Sequence, residues 1–309
     1  MKSSSIELRA PAKLNLFFEV LDRRPDGYHN ILTVTAPISL YDDLTIEIPG
    51  RGASGVRLAC VDEAGRDLSA VIPADDRNLA VRGARALAEE SAVTMPVSIR
   101  LVKRIPSEAG LGGGSSDAAA VIAGLNRLWG LNYPQKRLAE IGARVGSDVP
   151  LFFENGFALG SGRGEVTAPI EGVPPLDVVV VKPPFGLSTA AVYRAAGETP
   201  PEKRETPGRL IEALRRRNTD LAPLFFNRFE ETARRLSPVL DRLFADLAPF
   251  GTFRLTGSGT ALYAPAAGPA EAAGLKERIE KSGISGKVFA CSTIASPLSP
   301  LSVYDILSR

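Results

Sequence analysis

A chain of 309 residues is long enough for two domains of ordinary size and a substantial buried core. Its 44% hydrophobic and 23% charged residues are ordinary for a globular protein, and a formal charge of +2 is too small for a general nucleic-acid or membrane binder. One histidine (His29) and two isolated cysteines (Cys60 and Cys291) exclude an HExxH metalloprotease, a multi-histidine zinc site and a CxxC redox pair.

The start, MKSSSIELRAPAKLN, lacks the apolar centre of a signal peptide, and no run of 18 apolar residues follows, so a cytoplasmic location with no membrane contact is expected. The first strand is predicted over Ala12–Leu21, with Leu14, Leu16, Phe18 and Val20 on one face and Lys13, Asn15, Phe17 and Glu19 on the other. The turn-rich RRPDGYHN comes next, then a strand over Leu44–Ile48 and a helix after Asn78. Val97–Arg104 alternates as a half-buried strand. From Ala118, apolar residues recur at Val121, Ile122, Leu125, Leu128 and Trp129, one face of a helix. A helix from about Pro134 carries Leu138, Ile141 and Val145 and stops at Gly146, followed by an apolar LFF strand. TAPIEGVPP reads as a linker, dividing the chain into 1–166 and 167–309. Beyond it lie a central strand at Leu176–Val181, a short helix with Tyr193 and a polar loop from Gly197. Long helices over Pro207–Ala248 follow, then a glycine turn at Thr256–Gly259 between strands, a helix near Pro269–Lys281 and a strand at Lys287–Thr293.

PSEAGLGGGSSDAAA, from Pro106, sits between the Val97 strand and the Ala118 helix. Strand, glycine loop and helix N-terminus in that order make an anion site, because unpaired N–H groups and the positive end of the helix dipole face the loop. Neither GxxxxGK[ST] nor GxGxxG is present. A flexible surface turn is the plainer account, yet three consecutive glycines lose backbone entropy with no packing in return.

Three motifs stand in order, PAKLNLFFEV with DGYH, then PSEAGLGGGSSDAAA, then RLTGSGTALYA. Together they resemble the GHMP kinases. PAKLN, DGYH and GSDVPLFF resemble the branch that phosphorylates a CDP-linked methylerythritol. That resemblance implies an α+β fold of two domains, an N-terminal domain like ribosomal protein S5 domain 2 and a ferredoxin-like C-terminal domain. It also implies ATP and Mg²⁺, phosphorylation of the 2-hydroxyl of a small CDP-linked polyol, no nucleic-acid partner, and a monomer or homodimer. In the family's pattern Asp148 is the catalytic base and Lys13 its cationic partner, with Asn15 orienting the polyol. Tyr28, His29 and Tyr193 match the cytidine end. Lys103, Pro106, Gly110, Leu111, Gly112, Gly113, Gly114, Ser115, Ser116 and Asn78 match the ATP end, with Ser115 or Ser116 as a Mg²⁺ ligand. Each has a plainer account as well. Asp148 suits a turn cap before Pro150, Lys13 a solvated strand lysine, and His29 and the tyrosines ordinary packing.

Overall fold

The computed structural model of the chain describes residues 4–50, 52–196, 205–216, 220–295, 298 and 303–304. Two long antiparallel strands, β1 (Ser4–Arg23) and β2 (His29–Ile48), form its spine. Both outrun the segments that alternation marks, Ala12–Leu21 and Leu44–Ile48. The pairing slips between Pro11 and Ala12 and again between Asn15 and Phe17. One extra residue exchanges the faces of a strand. Phe17 therefore joins Leu14 and Leu16 in an apolar cluster, while Phe18 faces a cleft beside Lys13 and Asn15. Uninterrupted alternation predicts the reverse.

β3 (Val56–Val61), which the sequence does not announce, runs parallel to β4 (Val97–Val102), with α1 (Leu79–Ser91) between them in the chain. α2 (Gly113–Leu128) and α3 (Gln135–Val145) pack with α1 on this sheet. Ala118, Ile122 and Leu125 of α2 are fully buried there, as the helical period requires. α3 ends at Gly146 in extended rather than left-handed backbone. The expected LFF strand is instead a turn of 3-10 helix, Pro150–Phe153. Pro150 lacks the N–H a strand ladder uses, and Phe152 is drawn wholly into the core among the helices. β5 (Ala158–Ser161) pairs with β2, and β6 (Val166–Pro169) pairs with β5, so TAPIEGVPP begins as a strand rather than a linker.

The second half contains β7 (Asp177–Lys182), α4 (Thr189–Ala196), α5 (Gly208–Arg215), β8 (Phe226–Asn227), α6 (Glu230–Leu236) and α7 (Pro238–Leu247). β9 (Arg254–Leu255), β10 (Leu262–Ala266), α8 (Pro269–Lys281) and β11 (Lys287–Ser292) follow. The long helices expected over Pro207–Ala248 are three short ones, with a 3-10 turn at Ala222–Leu224 between the first two and Pro238 opening the third, where it cannot continue the second. Of the polar loop from Gly197, residues 197–204 lie outside the described residues.

β7, β9, β10 and β11 form an antiparallel sheet in the order β11-β7-β10-β9. Helical segments separate the first strand from the second and the third from the fourth, which is the βαββαβ pattern of a ferredoxin-like domain. Val178–Val181 are fully buried, as an inner strand should be. The halves interlock. β8 lies parallel beside β1, and β12 (Val303–Tyr304) pairs with its other end. Among the described residues no helix is long and apolar enough to cross a membrane.

Candidate active site

A cleft of about 920 Å³ opens between the halves, and Lys13 and Asn15 of β1 form part of its floor. Lys13 is almost wholly buried, and its ammonium donates to Asn15 Oδ1. Its Nζ lies 3.7 Å from Asp148 Oδ2. Burial lowers the pKa of Lys13, against which the Asp148 carboxylate acts. Asp148 differs from its partner in leaving 43% of its side chain exposed to the cleft. It occupies the short turn between α3 and the 3-10 helix, where the buried Val149 and Phe152 hold the turn from behind. Asn15 donates through Nδ2 to Thr33 Oγ1 (2.9 Å) and through its backbone N–H to Thr256 Oγ1 (2.9 Å). With its amide oxygen on Lys13, Asn15 braces the lysine as well as lining the cleft.

The glycine loop lies next to this pair. Lys13 N donates to the Leu111 carbonyl (2.9 Å), and a Cβ at Gly112 would sit 3.0 Å from Lys13 Cγ. Gly110 has φ +77°, and a Cβ there would overlap the Thr256 carbonyl oxygen. The two glycine turns thus pack backbone on backbone, and Ala261 N donates to Ala109 O across them (3.1 Å). No side chain caps the start of α2. Its first N–H groups have no intrahelical acceptor, and Gly113, Gly114 and Ser115 line a cavity of about 290 Å³ together with Leu79, Lys103 and Glu108. This cavity and the cleft share Gly110 and Gly112.

Several expected ATP-end residues have other duties. Lys103 is tied to two carboxylates, donating to Asp42 and to Asp117 Oδ2 (2.8 Å), with 10% of its side chain exposed. Burial works to lower its pKa, but Asp117 and Asp42 raise it overall. It is anchored by these carboxylates while also lining the loop cavity. Asn78 is the N-cap of α1: its Oδ1 accepts from Ala80 N (2.9 Å) and its Nδ2 donates to Pro73 O (2.8 Å). Leu111 and Ser116 turn their side chains into the interior, so only Ser115 of the two serines faces the cavity. Gly113 is small because Ile105 Cγ2 and Lys103 Nζ would lie 3.0 and 3.3 Å from its Cβ.

Aromatic residues line the far end of the cleft. Asp26 Oδ1 accepts from Tyr28 N (3.2 Å) and Gly27 takes φ +86°, which shapes the turn that presents Tyr28 and His29. The rings of His29 and Tyr193 lie 5.2 Å apart, and Tyr193 meets Phe229 edge-on at 4.5 Å. Tyr28 and Tyr193 both line the cleft. Tyr193 packs on His29, and the Arg163 guanidinium sits 4.9 Å over the Tyr28 ring. Arg23, Arg163 and Thr189 also line the cleft and were not expected from the motifs, whereas Ser258 belongs to the second glycine turn. The sequence holds one cue for Arg163, a cation flanked by glycines in GSGRGE, the mark of a tight turn.

The GHMP kinases N terminal domain matches residues 78–156, and the GHMP kinases C terminal domain matches residues 208–285. A 4-diphosphocytidyl-2-C-methyl-D-erythritol kinase of Geobacter metallireducens is 37% identical over 280 residues, 90% of this chain and 95% of its own length. The chain belongs to that kinase family. Its counterpart from Geobacillus thermodenitrificans is 44% identical over 189 residues, 61% of this chain and 62% of its own. A solved 4-(cytidine 5'-diphospho)-2C-methyl-D-erythritol kinase shares 34% identity and a TM-score of 0.75, covering 93% of this chain and 99% of its own. The protein is a two-domain α+β GHMP kinase, and a kinase of this family takes ATP and a small-molecule acceptor.

Proposed function

We propose that this kinase transfers the γ-phosphoryl group of ATP to the 2-hydroxyl of 4-diphosphocytidyl-2-C-methyl-D-erythritol, a step of non-mevalonate isoprenoid precursor synthesis. One observation carries the reading: Lys13 and Asp148, 3.7 Å apart, stand where the glycine-loop cavity meets a cleft that ends in aromatic rings. Asp148 takes the proton of the attacking hydroxyl. Lys13 stabilises the alkoxide forming there and the charge on the departing phosphoryl group. Asn15 holds Lys13 in place. The N–H groups at Gly113, Gly114 and Ser115 receive the phosphates, and residues 1–166 and 167–309 act as the two halves that line the cleft around the reacting atoms.

Tyr28, His29 and Tyr193 suit a pyrimidine, since rings give a stacking surface and an imidazole exchanges hydrogen bonds with the base edge. Arg23 and Arg163 beside them suit a diphosphate. A homoserine or mevalonate acceptor offers the arginines a carboxylate but gives the aromatic rings no base to stack on. For Mg²⁺ the fit is through ATP. Among the described residues no cluster of three His, Cys, Asp or Glu could hold a metal, whereas Ser115 turns towards the loop cavity. Ser115 Oγ would supply one oxygen to an ion otherwise held by phosphates and water, as suits Mg²⁺, and the ion would neutralise phosphate charge. ADP release with CDP-methylerythritol, mevalonate and homoserine as acceptors tests the reading. Turnover confined to the first supports it, and preference for either of the others overturns it.

A further inference from the structure

Three charged side chains lie beneath the glycine loop, away from the reacting atoms, and the phosphoryl-transfer chemistry uses none of them. Asp42 of β2 is fully buried and has an acceptor duty on each oxygen. Its Oδ1 accepts from Arg104 N (2.6 Å) and Ile105 N (2.8 Å), the residues that lead into the loop at Pro106. Its Oδ2 accepts from Lys103 Nζ, which also donates to Asp117 Oδ2 in the first turns of α2, just past the loop. Lys103 Nζ passes directly under Gly113, the first helical residue. One chain of bonds therefore joins the entry of the loop to its exit. Buried ion sets of this kind gain little stability over apolar packing, because desolvation offsets most of the attraction. In some proteins such a set instead serves to fix one geometry.

We propose that Asp42, Lys103 and Asp117 are positioning residues for the nucleotide, a buried clamp that holds the two ends of the glycine loop in register. The clamp rests on the reading that this loop receives the ATP phosphates. Backbone N–H groups bind phosphate only when several point at one place, and a displacement of about 1 Å in such a site costs up to ~10²-fold. The loop's own glycines do not stiffen it, so the ends must.

Steady-state kinetics and thermal unfolding of clamp variants, with Gly114→Asp as a control, test this. A Cβ at Gly114 meets only Leu79 Cδ1, at 3.7 Å, so the control adds charge to the loop without crowding it. Asp42→Ala and Asp117→Leu are each expected to raise KM for ATP about tenfold and leave KM for the CDP-linked acceptor within about twofold. The double variant is expected to be little worse than either single one, because both break the same chain of bonds. Asp117→Asn, which keeps an oxygen for Lys103, is expected to return KM for ATP to within about threefold of wild type. Asp42→Asn also keeps an acceptor for the Arg104 and Ile105 N–H groups, and serves where Asp42→Ala does not fold. An ATP KM that stays at the wild-type value in folded variants overturns the clamp, as do losses that multiply and fall equally on both substrates. If Gly114→Asp raises KM for ATP while the clamp variants do not, only the clamp fails. If Gly114→Asp leaves ATP untouched, the loop's nucleotide role fails and the clamp with it.

Discussion

A lysine buried to within 3% of full enclosure and set against a half-exposed aspartate is a charge held at a cost. Replacing Lys13 by Met keeps the apolar stem and deletes that charge. The expected outcome is a large fall in kcat with little change in ATP affinity, since the charge matters most as the phosphoryl group departs. Nucleotide titration beside steady-state kinetics checks it. The pH profile gives a second reading. Burial lowers the pKa of Lys13, so its active ammonium form is lost at a lower pH than an ordinary lysine's. The alkaline limb of kcat should fall correspondingly early, and that limb should vanish in the low residual activity of Lys13→Met. Stability should move the other way. Between the lowered native pKa and the ordinary value the unfolded chain binds more protons, so this residue makes stability rise with pH. Lys13 and Asn15 were legible as neighbours because a strand has a period of two. Asp148 was not legible by pattern, because a loop aspartate before proline looks like any turn cap, and only the family motif singled it out. Arg163 reaches the cleft through the β5–β6 turn, a long-range placement with no periodic trace.

At the scale of elements, the two glycine turns make one unit. Gly110→Ala puts a Cβ onto the Thr256 carbonyl at a backbone φ of +77°, so it should push the turns apart. Overpacking and left-handed backbone together point to a loss of about 2–4 kcal/mol, measurable by denaturant unfolding. Gly113→Val would report crowding against Ile105 as much as lost phosphate contact, and Gly114 is the cleaner probe. Helices with a strong apolar stripe, such as α3 with Leu138, Ile141 and Val145, were legible to within a few residues. The strand faces of β1 were not, because the slip between Asn15 and Phe17 arises from pairing with β2, which no local window contains. LFF was misleading for a related reason. An apolar triplet states that it is buried, and tertiary packing decides whether it is strand or 3-10 helix.

At the scale of the whole molecule, the proposed function depends on two cavities meeting at Gly110 and Gly112 beside Lys13. Effects at the two ends should therefore separate. Tyr28→Ala and His29→Ala should weaken the CDP-linked acceptor by roughly 5- to 150-fold, the range for removing an aromatic platform, and leave ATP binding unchanged. Calorimetry with each ligand alone checks this, and equal losses for both would deny the division. The overall fold was legible only through the family resemblance that the three motifs carry, and these motifs sit on β1, in the loop before α2 and in the β9–β10 turn. The interlocking of β8 and β12 with the first sheet was not, because two-residue strands carry too little pattern to announce a partner.

The account stands most directly on Asp148. Asn is nearly isosteric and keeps an oxygen towards Lys13, so Asp148→Asn should fold and bind as the wild type does. Single-turnover phosphoryl transfer with ATP and CDP-methylerythritol, run beside calorimetry for both ligands, is the deciding measurement. The account predicts that the rate of transfer falls by about 10²–10⁴-fold while both affinities stay within about threefold. A variant that folds, binds both ligands and transfers phosphate at the wild-type rate would contradict it, leaving Asp148 a turn residue beside a lysine.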